Sequence, residues 1–284
     1  MRTTHKWTDN TATICVEGLD QPVRMLHITD SHIALIDARD AEHIEACQGA
    51  CERFESREQI FDKLMDEATE SSLDLVALTG DMVHFPSQAG VETLAKSIDK
   101  VDVSTLYTSG NHDWHYPGVE GRGELREEWW DALAPLHHGQ AAYARHEIGG
   151  IQFLLVDDSI YQVNEEQTAF VDTHLANGMP TVLLTHIPLS LPTLREPTLE
   201  RFENPILIAD PDWGPEGRER WGTGENLPPT LEFARTLVRA ENLVAVFCGH
   251  IHFAHADSIN LNAVQYVGAP GFDGASRLVE FCPL

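Results

Sequence analysis

Clusters of Asp, Asn and His stand at five places along the chain, and each follows directly after a short apolar run. The clusters are Asp30-Ser31-His32, Gly80-Asp81, Gly110-Asn111-His112-Asp113, His186 and Gly249-His250-Ile251-His252. A D-x-H triplet arises by chance about once in a chain of this length, whereas G-N-H-D is far rarer. The ordered set therefore indicates one shared site.

These residue types are the ones that bind metal ions. Asp30 and Asp81 are carboxylates, and the two oxygens of Asp81 could bridge two cations, while Asn111 offers a carbonyl oxygen without added charge. Imidazole nitrogens come from four histidines: His32, His186, His250 and His252. Such a mixed oxygen and nitrogen set suits Mn, Fe, Zn, Co or Ni better than Ca. Because Asp30 and His32 are two residues apart, an extended strand end would point both to one side.

The elements that carry these clusters are predicted from alternating apolar runs and helical patterns. Strands are predicted at 23–29, 73–79, 103–108, 142–147, 151–156, 181–185, 243–248, 263–267 and 277–281. Helices are predicted at about 55–71, 91–99, 123–134, 165–176 and 230–240. The initial β, α, β, α, β order implies parallel strands with helical crossovers. Ligands of α/β sheets gather at the carboxyl ends of such strands.

Two long stretches, 33–54 and 187–229, interrupt this alternation. Because long irregular segments in a domain are usually lids or disordered, we expect one domain over 1–284 with a lid-like insertion at about 187–229. Arg218 and Arg220 in the insertion could clamp an anionic substrate, although a solvated loop is the competing interpretation. Trp114 and His115 should border the pocket, where packing is the alternative role for Trp114.

Composition limits the partners. The chain has 284 residues with 42% apolar residues, enough for a sizeable core. Its formal charge of −26 arises from 45 acidic against 19 basic residues, so extended nucleic acid is a disfavoured partner. No apolar run reaches the roughly 18 residues of a membrane span, no export-signal pattern is present, and the five cysteines are scattered. We therefore expect a cytoplasmic protein without a membrane partner, and leave its oligomeric state open.

The motifs D-x-H, G-D, G-N-H-D, a lone His after a strand, and G-H-x-H resemble, in this order, those of the calcineurin-like metallophosphoesterase superfamily. The resemblance extends from Asp30 to His252 and implies an α/β fold, a β-sandwich of two mixed sheets flanked by helices. It also implies a centre of two metal ions. By matching positions, the first ion would be bound by Asp30, His32, Asp81 and His252, and the second by Asp81, Asn111, His186 and His250.

The resemblance further implies a reaction. Two cations about 3.5 to 4 Å apart would lower the pKa of a shared water and present hydroxide to phosphorus. His112 would lie beside the metals, steady the transition state or protonate the leaving oxygen, and contact substrate together with Asn111. The implied function is hydrolysis of a small phosphodiester, phosphomonoester or nucleotide derivative, with His112 as general acid.

One position departs from the common pattern. Three residues after Asp81, where many members carry Asp or Asn, this chain has His84. A histidine there is similar to the Mre11-type nuclease branch, so His84 could orient His112 or contact a phosphate oxygen, or simply be a satisfied polar residue. An Mre11-like nuclease is therefore the alternative enzyme, which the charge of −26 opposes. A non-catalytic scaffold of the same fold is the alternative from another class.

Overall fold

The strands of this computed structural model, which describes residues 1–118, 123–137 and 140–284, form two sheets. Within these ranges the strands are β1 (Thr3–Trp7), β2 (Thr11–Val16), β3 (Val23–Ile28), β4 (Leu75–Thr79), β5 (Ser104–Thr108), β6 (Tyr143–Ile148), β7 (Ile151–Val156), β8 (Thr181–Leu184), β9 (Leu243–Cys248), β10 (His255–Ser258), β11 (Val264–Val267) and β12 (Arg277–Pro283). The helices are α1 (Ile44–Arg53), α2 (Arg57–Thr69), α3 (Gln88–Ile98), α4 (Gly123–Leu133), α5 (Glu165–Leu175), α6 (Pro192–Phe202), α7 (Pro215–Arg220) and α8 (Pro228–Arg239). Two 3₁₀ helices cover Ala38–His43 and Gly271–Asp273.

Both sheets are mixed. The first has the order β1-β2-β12-β3-β4-β5, and the second has the order β10-β11-β9-β8-β7-β6. Strands β3, β4 and β5 run parallel, as do β7, β8, β9 and β11, whereas β12 against β3 and β6 against β7 are antiparallel. The parallel strands of each sheet therefore bring their carboxyl ends to one edge. This arrangement confirms the predicted fold of two mixed sheets flanked by helices.

Three apolar layers hold the sandwich together. Side chains from both sheets, such as Met25, Phe153 and Phe247, are fully buried between them. Helices α2 and α3 cover the outer face of the first sheet, and α5, α8 and the insertion cover the outer face of the second. The central strands are thus buried on both faces, which is why they read as continuous apolar runs rather than alternating ones.

The two interrupting stretches are folded, contrary to the irregular segments that their composition indicated. The first contains α1, and the second contains α6 and α7. Helix α6 carries Pro197 in its interior and buries only Leu194 and Thr198, so it offers no apolar stripe to recognise in sequence. Strands β1, β2 and β10 are also absent from the sequence-based prediction.

None of the helices that the structure describes is long and apolar enough to cross a bilayer. This agrees with the absence of a long apolar run in the sequence.

Candidate metal centre

The predicted donor residues meet at one edge, where β3, β4, β5, β8 and β9 end. We call this set the donor rim: Asp30, His32, Asp81, Asn111, His186, His250 and His252. All seven are half-buried or buried, and backbone hydrogen bonds join their loops within each sheet. Across the two sheets, the N–H of His250 donates to the carboxylate of Asp30, and His186 Nδ1 lies 2.8 Å from the carbonyl oxygen of Thr79. The structure thus brings six of the seven predicted ligands within reach of one another, and Asn111 follows Gly110, whose backbone packs against Asp81.

The backbone at the rim is turned rather than extended. Asp30, His32 and Asp81 have φ of 53°, 45° and 52°, in the left-handed region, and His250 and His252 have 72° and 53°. The prediction that an extended strand end orients Asp30 and His32 is therefore wrong. Their N–H groups instead donate to the carbonyls of Gly80 and Asp81 across the loop. Left-handed non-glycine residues cost roughly 1 to 3 kcal/mol each and cluster at functional sites.

Two motif glycines allow the loops to approach one another. A Cβ on Gly110 would collide with the backbone nitrogen of Asp81, and one on Gly249 would collide with the carboxylate of Asp30. The glycines of G-N-H-D and G-H-x-H are therefore required by the close contact between neighbouring loops.

Four side chains form the first donor group: Asp30, His32, Asp81 and His252. His252 Nε2 lies 3.2 Å from Asp30 Oδ1, and His32 Nε2 lies 3.5 Å from Asp81 Oδ2. The Nε2 atoms of His32 and His252 are 3.2 Å apart. Two imidazole nitrogens and two carboxylates thus point at one small volume, which is the arrangement that a single cation requires.

A second donor group adjoins the first and consists of Asp81, His186 and His250. His186 Nε2 lies 3.3 Å from Asp81 Oδ2, and the His186 and His250 rings are 5.2 Å apart. Asn111 Oδ1 is buried and has no hydrogen-bond partner among the described residues. An unpartnered buried carbonyl oxygen is costly, and at this position Asn111 Oδ1 is suited to coordinate a cation.

The charges at the rim also favour the binding of cations. Burial acts to raise the pKa of Asp81, but the imidazoles of His186 and His112 outweigh it and hold this pKa well below its usual range. Burial acts to lower the pKa of His186, whereas the carboxylates of Asp81 and Asp30 raise it to about 10. Neither carboxylate has an ion pair with Lys or Arg within the described part of the chain. Donor chemistry, burial and charge all fit two divalent cations that share Asp81.

His112 and His84 form a stack beside the first donor group. Their ring centroids lie 4.6 Å apart at an angle of 21°, and His84 Nδ1 lies 3.2 Å from His32 Nδ1. The backbone N–H of His112 donates to Asp81 Oδ1 over 2.7 Å. Burial and the neighbouring His112 lower the pKa of His84 to about 3, so this ring is neutral. His84 thus contacts His112, which its position in the motif suggested it could orient, and it also contacts His32.

Two buried carboxylates that the sequence analysis left without a role fix the rim loops. Asp113 accepts hydrogen bonds from the backbone N–H groups of Asp81, Val83 and Gly110, at 2.7 to 2.9 Å. Asp158 accepts from the N–H of His186 at 3.0 Å. The sequence contained a signal for both residues. Asp113 ends the G-N-H-D motif, and Asp158 lies just after the apolar run of β7, in the same position as the donor clusters that follow other strands.

A cavity of about 320 Å³ lies beside the second donor group. Its lining comprises Asn111, His112, Trp114, His115, Ser159, Ile160, Tyr161, Arg220, Trp221 and Gly222. Trp114 is 3% exposed and packs in the core of the first sheet, so it combines a packing role with its place in the wall. The Tyr161 hydroxyl lies 3.3 Å from His250 Nε2, which joins the cavity to the rim.

The two arginines of the insertion differ sharply. Arg218 is buried and donates to the carbonyl oxygens of Trp213, Asp210 and Gly224 at 2.8 to 3.1 Å, and it does not line the cavity. The expected clamp role therefore does not suit Arg218, because its guanidinium already binds the backbone of the insertion. Arg220 lines the cavity and forms a 3.1 Å ion pair with Glu203.

Comparison with known proteins gives a family. The model of the family described as calcineurin-like phosphoesterase matches residues 23–254. The DNA double-strand break repair protein Mre11 of Methanopyrus kandleri is 21% identical over 229 residues. This match covers 74% of the chain and 46% of the Mre11 protein, so the chain spans about half the length of that relative.

Solved structures share the fold. A dimetal phosphatase from Danio rerio superposes with a TM-score of 0.56 at 11% identity, over 89% of each chain. A purple acid phosphatase from yellow lupin (Lupinus luteus) seeds gives a TM-score of 0.55 at 14% identity, over 92% of this chain and 47% of that one. At such identities the likeness shows a common architecture.

Proposed function

Because the chain belongs to the calcineurin-like phosphoesterase family, we propose that it is a hydrolase that uses two metal ions to cleave a small phosphoester. Phosphodiesters, phosphomonoesters and nucleotide derivatives are the substrate classes that fit. The observation that carries the proposal is that one carboxylate, Asp81, belongs to both donor groups. A shared carboxylate is what holds two cations at the separation needed for hydrolysis, about 3.5 to 4 Å.

In this proposal the donor rim binds the two ions as the motif resemblance implies. The first ion would be held by Asp30, His32, Asp81 and His252, and the second by Asp81, Asn111, His186 and His250. The mixed oxygen and nitrogen donors favour Mn, Fe, Zn, Co or Ni. When bound, the ions would supply a water of lowered pKa and offset the negative charge on the phosphoryl oxygens.

In the proposal, residues around the rim orient the substrate and donate a proton to its leaving oxygen. His112 is the proposed general acid for the leaving oxygen, and its backbone bond to Asp81 fixes its distance from the rim. Burial lowers the pKa of His112 and favours the neutral ring, whose remaining N–H can still donate a hydrogen bond to a phosphoryl or leaving oxygen. His84 is the proposed positioning residue, because it stacks on His112 and contacts His32.

The substrate's organic group is proposed to enter the cavity beside Asn111. His115, Arg220 and Trp221 line it together with Trp114, so a planar or sugar-like group would meet aromatic surface and one cation. We further propose that the chain is one domain whose insertion at 187–229 forms this lid-like wall. A cytoplasmic location is also part of the proposal, supported by the odd and scattered set of five cysteines in the sequence.

Initial rates with added Mn²⁺ test the proposal on bis(p-nitrophenyl) phosphate, p-nitrophenyl phosphate and pyrophosphate. We expect turnover of at least one of them, about two metal ions per chain by elemental analysis, and loss of turnover with a chelator. A purified protein with no bound metal and no hydrolysis would favour the non-catalytic scaffold instead.

A second candidate is a nuclease, which the relationship to Mre11 and the histidine at position 84 favour. The charge of −26 opposes an extended polyanion at long range, although two bound cations would reduce that repulsion locally. Rates on single-stranded DNA beside bis(p-nitrophenyl) phosphate separate the candidates. Faster cleavage of the DNA per phosphodiester would favour the nuclease.

A further inference from the structure

Arg57 is held between two aromatic rings next to the donor rim. Its guanidinium lies 3.8 Å from the ring centre of Phe54 and 4.1 Å from that of Phe272. We call these three residues the arginine clamp. A planar guanidinium stacks on aromatic rings through its faces. Such stacking leaves the edge of the plane, which carries the five N–H donors, available for hydrogen bonds.

The N–H edge of the Arg57 guanidinium contacts no acceptor among the residues that the structure describes. Arg218 binds carbonyl oxygens, Arg220 binds Glu203, and Arg39 binds Asp37 and Glu92. For Arg57, by contrast, the described residues provide neither a hydrogen bond nor an ion pair, although acidic residues outnumber basic ones by 45 to 19. Burial, opposed by Asp273, lowers the pKa of Arg57 to about 10, so the group remains cationic at neutral pH. Asp273 is close enough to act on this charge but forms no ion pair with it, and a half-buried guanidinium with no ion pair among the described residues suggests that an anion binds there.

The arginine clamp adjoins the first donor group. The Phe54 ring lies 4.6 Å from the His84 ring, and the Phe272 ring lies 5.1 Å from the His252 ring. The backbone N–H of Phe272 also donates to the carbonyl of Asp30 at 3.1 Å. The clamp therefore packs against the rim from separate segments, the junction of α1 with α2 and the 3₁₀ helix Gly271–Asp273. The cavity, in contrast, adjoins the second donor group through Asn111 and Tyr161.

We propose that Arg57 binds an anionic oxygen of the substrate on the side of the first donor group. This inference rests on the proposed function and makes it more specific. The substrate then has an anionic end at the arginine clamp and an organic end in the cavity. Phe54 and Phe272 hold the guanidinium plane so that its N–H edge is presented without rearrangement when the substrate arrives.

The decisive variants are Arg57→Met and Arg57→Lys. Met keeps an unbranched apolar side chain between the rings, and Lys keeps the charge without the planar edge. The matched control is Arg53→Met, because the Arg53 guanidinium lies 5.2 Å over the same Phe54 ring but from the opposite end of the loop, in the last turn of α1. Like Arg57→Met, this control removes one positive charge next to the Phe54 ring. Thermal unfolding of each variant shows whether its fold is intact.

With Mn²⁺ present, we expect Arg57→Met to raise KM for pyrophosphate or bis(p-nitrophenyl) phosphate about 10-fold or more, with kcat within about threefold. Arg57→Lys should recover part of the loss, and Arg53→Met should change KM less than about twofold. Calorimetric titration with inorganic phosphate should show the same order of affinities. An equal rise for both substrates would assign the contact to the scissile phosphoryl group, and a rise for pyrophosphate alone would assign it to a second anionic group.

An Arg57→Met protein with unchanged KM and unchanged phosphate affinity would overturn the inference, as would an equal loss in Arg53→Met. If the wild-type protein cleaves no phosphoester, the proposed function fails, but the phosphate titration still decides the role of Arg57. If Arg57→Met unfolds at a lower temperature, the Arg57→Lys protein decides, because a natively stable Lys variant with unchanged phosphate affinity also contradicts the inference.

Discussion

Asp81 in the donor rim and Asp210 in the insertion are both buried carboxylates, yet their surroundings differ. Asp210 accepts hydrogen bonds from Ser190 Oγ at 2.7 Å and Arg195 Nε at 3.0 Å, so its charge is balanced by protein groups. Asp81 faces imidazoles instead, and its neighbour in the first donor group, Asp30, does too.

The surroundings of these two carboxylates distinguish a structural role from a metal-binding role. A buried carboxylate with an arginine partner stabilises a fold, whereas several carboxylates and imidazoles that converge without one form a site for cations. Similar side chains therefore stabilise the fold in the insertion and form a cation site in the rim.

The largest effect is expected from Asp81→Asn. The amide keeps the shape of the side chain but removes the charge that both donor groups share, so we expect a loss of more than about 100-fold in kcat/KM. Metal content should fall below two ions per chain. Asp212→Asn in the insertion is the matched control, because its side chain is 74% exposed. Equal activity of the two variants would remove the distinction between the regions.

The second effect concerns stability rather than turnover. Arg218→Met removes a guanidinium that satisfies three carbonyl oxygens inside the insertion. Leaving these acceptors unpaired should lower the free energy of unfolding by about 3 kcal/mol in urea titrations. The control Arg235→Met breaks only an exposed pair with Glu232 and should cost less than about 1 kcal/mol. Unchanged stability of the Arg218 variant, together with a raised KM, would restore the substrate role that the sequence suggested.

The third test concerns His27, a histidine outside the donor rim. It is buried between the sheets, and its Nε2 lies 2.7 Å from Thr79 Oγ1. Burial and the nearby Arg277 lower its pKa to about 3. Because the folded pKa lies below the unfolded value of about 6.5, the neutral ring stabilises the fold above that pH, and this stability is lost as the pH falls towards 3. Between pH 7 and pH 5, the metal-free wild type should lose about 2 kcal/mol more than His27→Gln.

Urea unfolding of both proteins with a chelator measures this difference, since the titration of the rim residues is common to the two. Parallel pH dependences would show that His27 gains its proton without opening the sandwich.

The smallest effect is expected from Arg220→Met. Arg220 lines the cavity, but its side chain is 64% exposed and is paired with Glu203. Exposed pairs contribute little, so KM should rise by no more than about threefold. A much larger rise would mean that the insertion closes on the substrate and binds its anionic part directly. The Arg57→Met protein, measured beside it, indicates which side of the rim holds that part.

The donor rim could be predicted from sequence because it depends on local rules. Apolar runs mark the strands, parallel order brings their ends to one edge, and the residues after each run are then neighbours in space. The turned backbone at Asp30 and His32 was not predictable in this way, since it results from hydrogen bonds to a loop about 50 residues away.

The internal structure of the insertion and the arginine clamp could not be predicted, because both depend on contacts between distant parts of the chain. Arg218 gave the same sequence signal as Arg220, and only the carbonyl oxygens around it show that it is structural. Phe272 lies more than 200 residues from Phe54 and Arg57, so no local pattern connects them. Strand β10 is short and partly exposed, which left it without a clear apolar pattern.

Anomalous X-ray scattering from crystals grown with Mn²⁺ tests the central claim most directly. We expect two peaks on either side of the Asp81 carboxylate, about 3.5 to 4 Å apart, one near His32 and His252 and the other near His186 and His250. Peaks only at surface carboxylates, or a single peak that does not touch Asp81, would contradict the account.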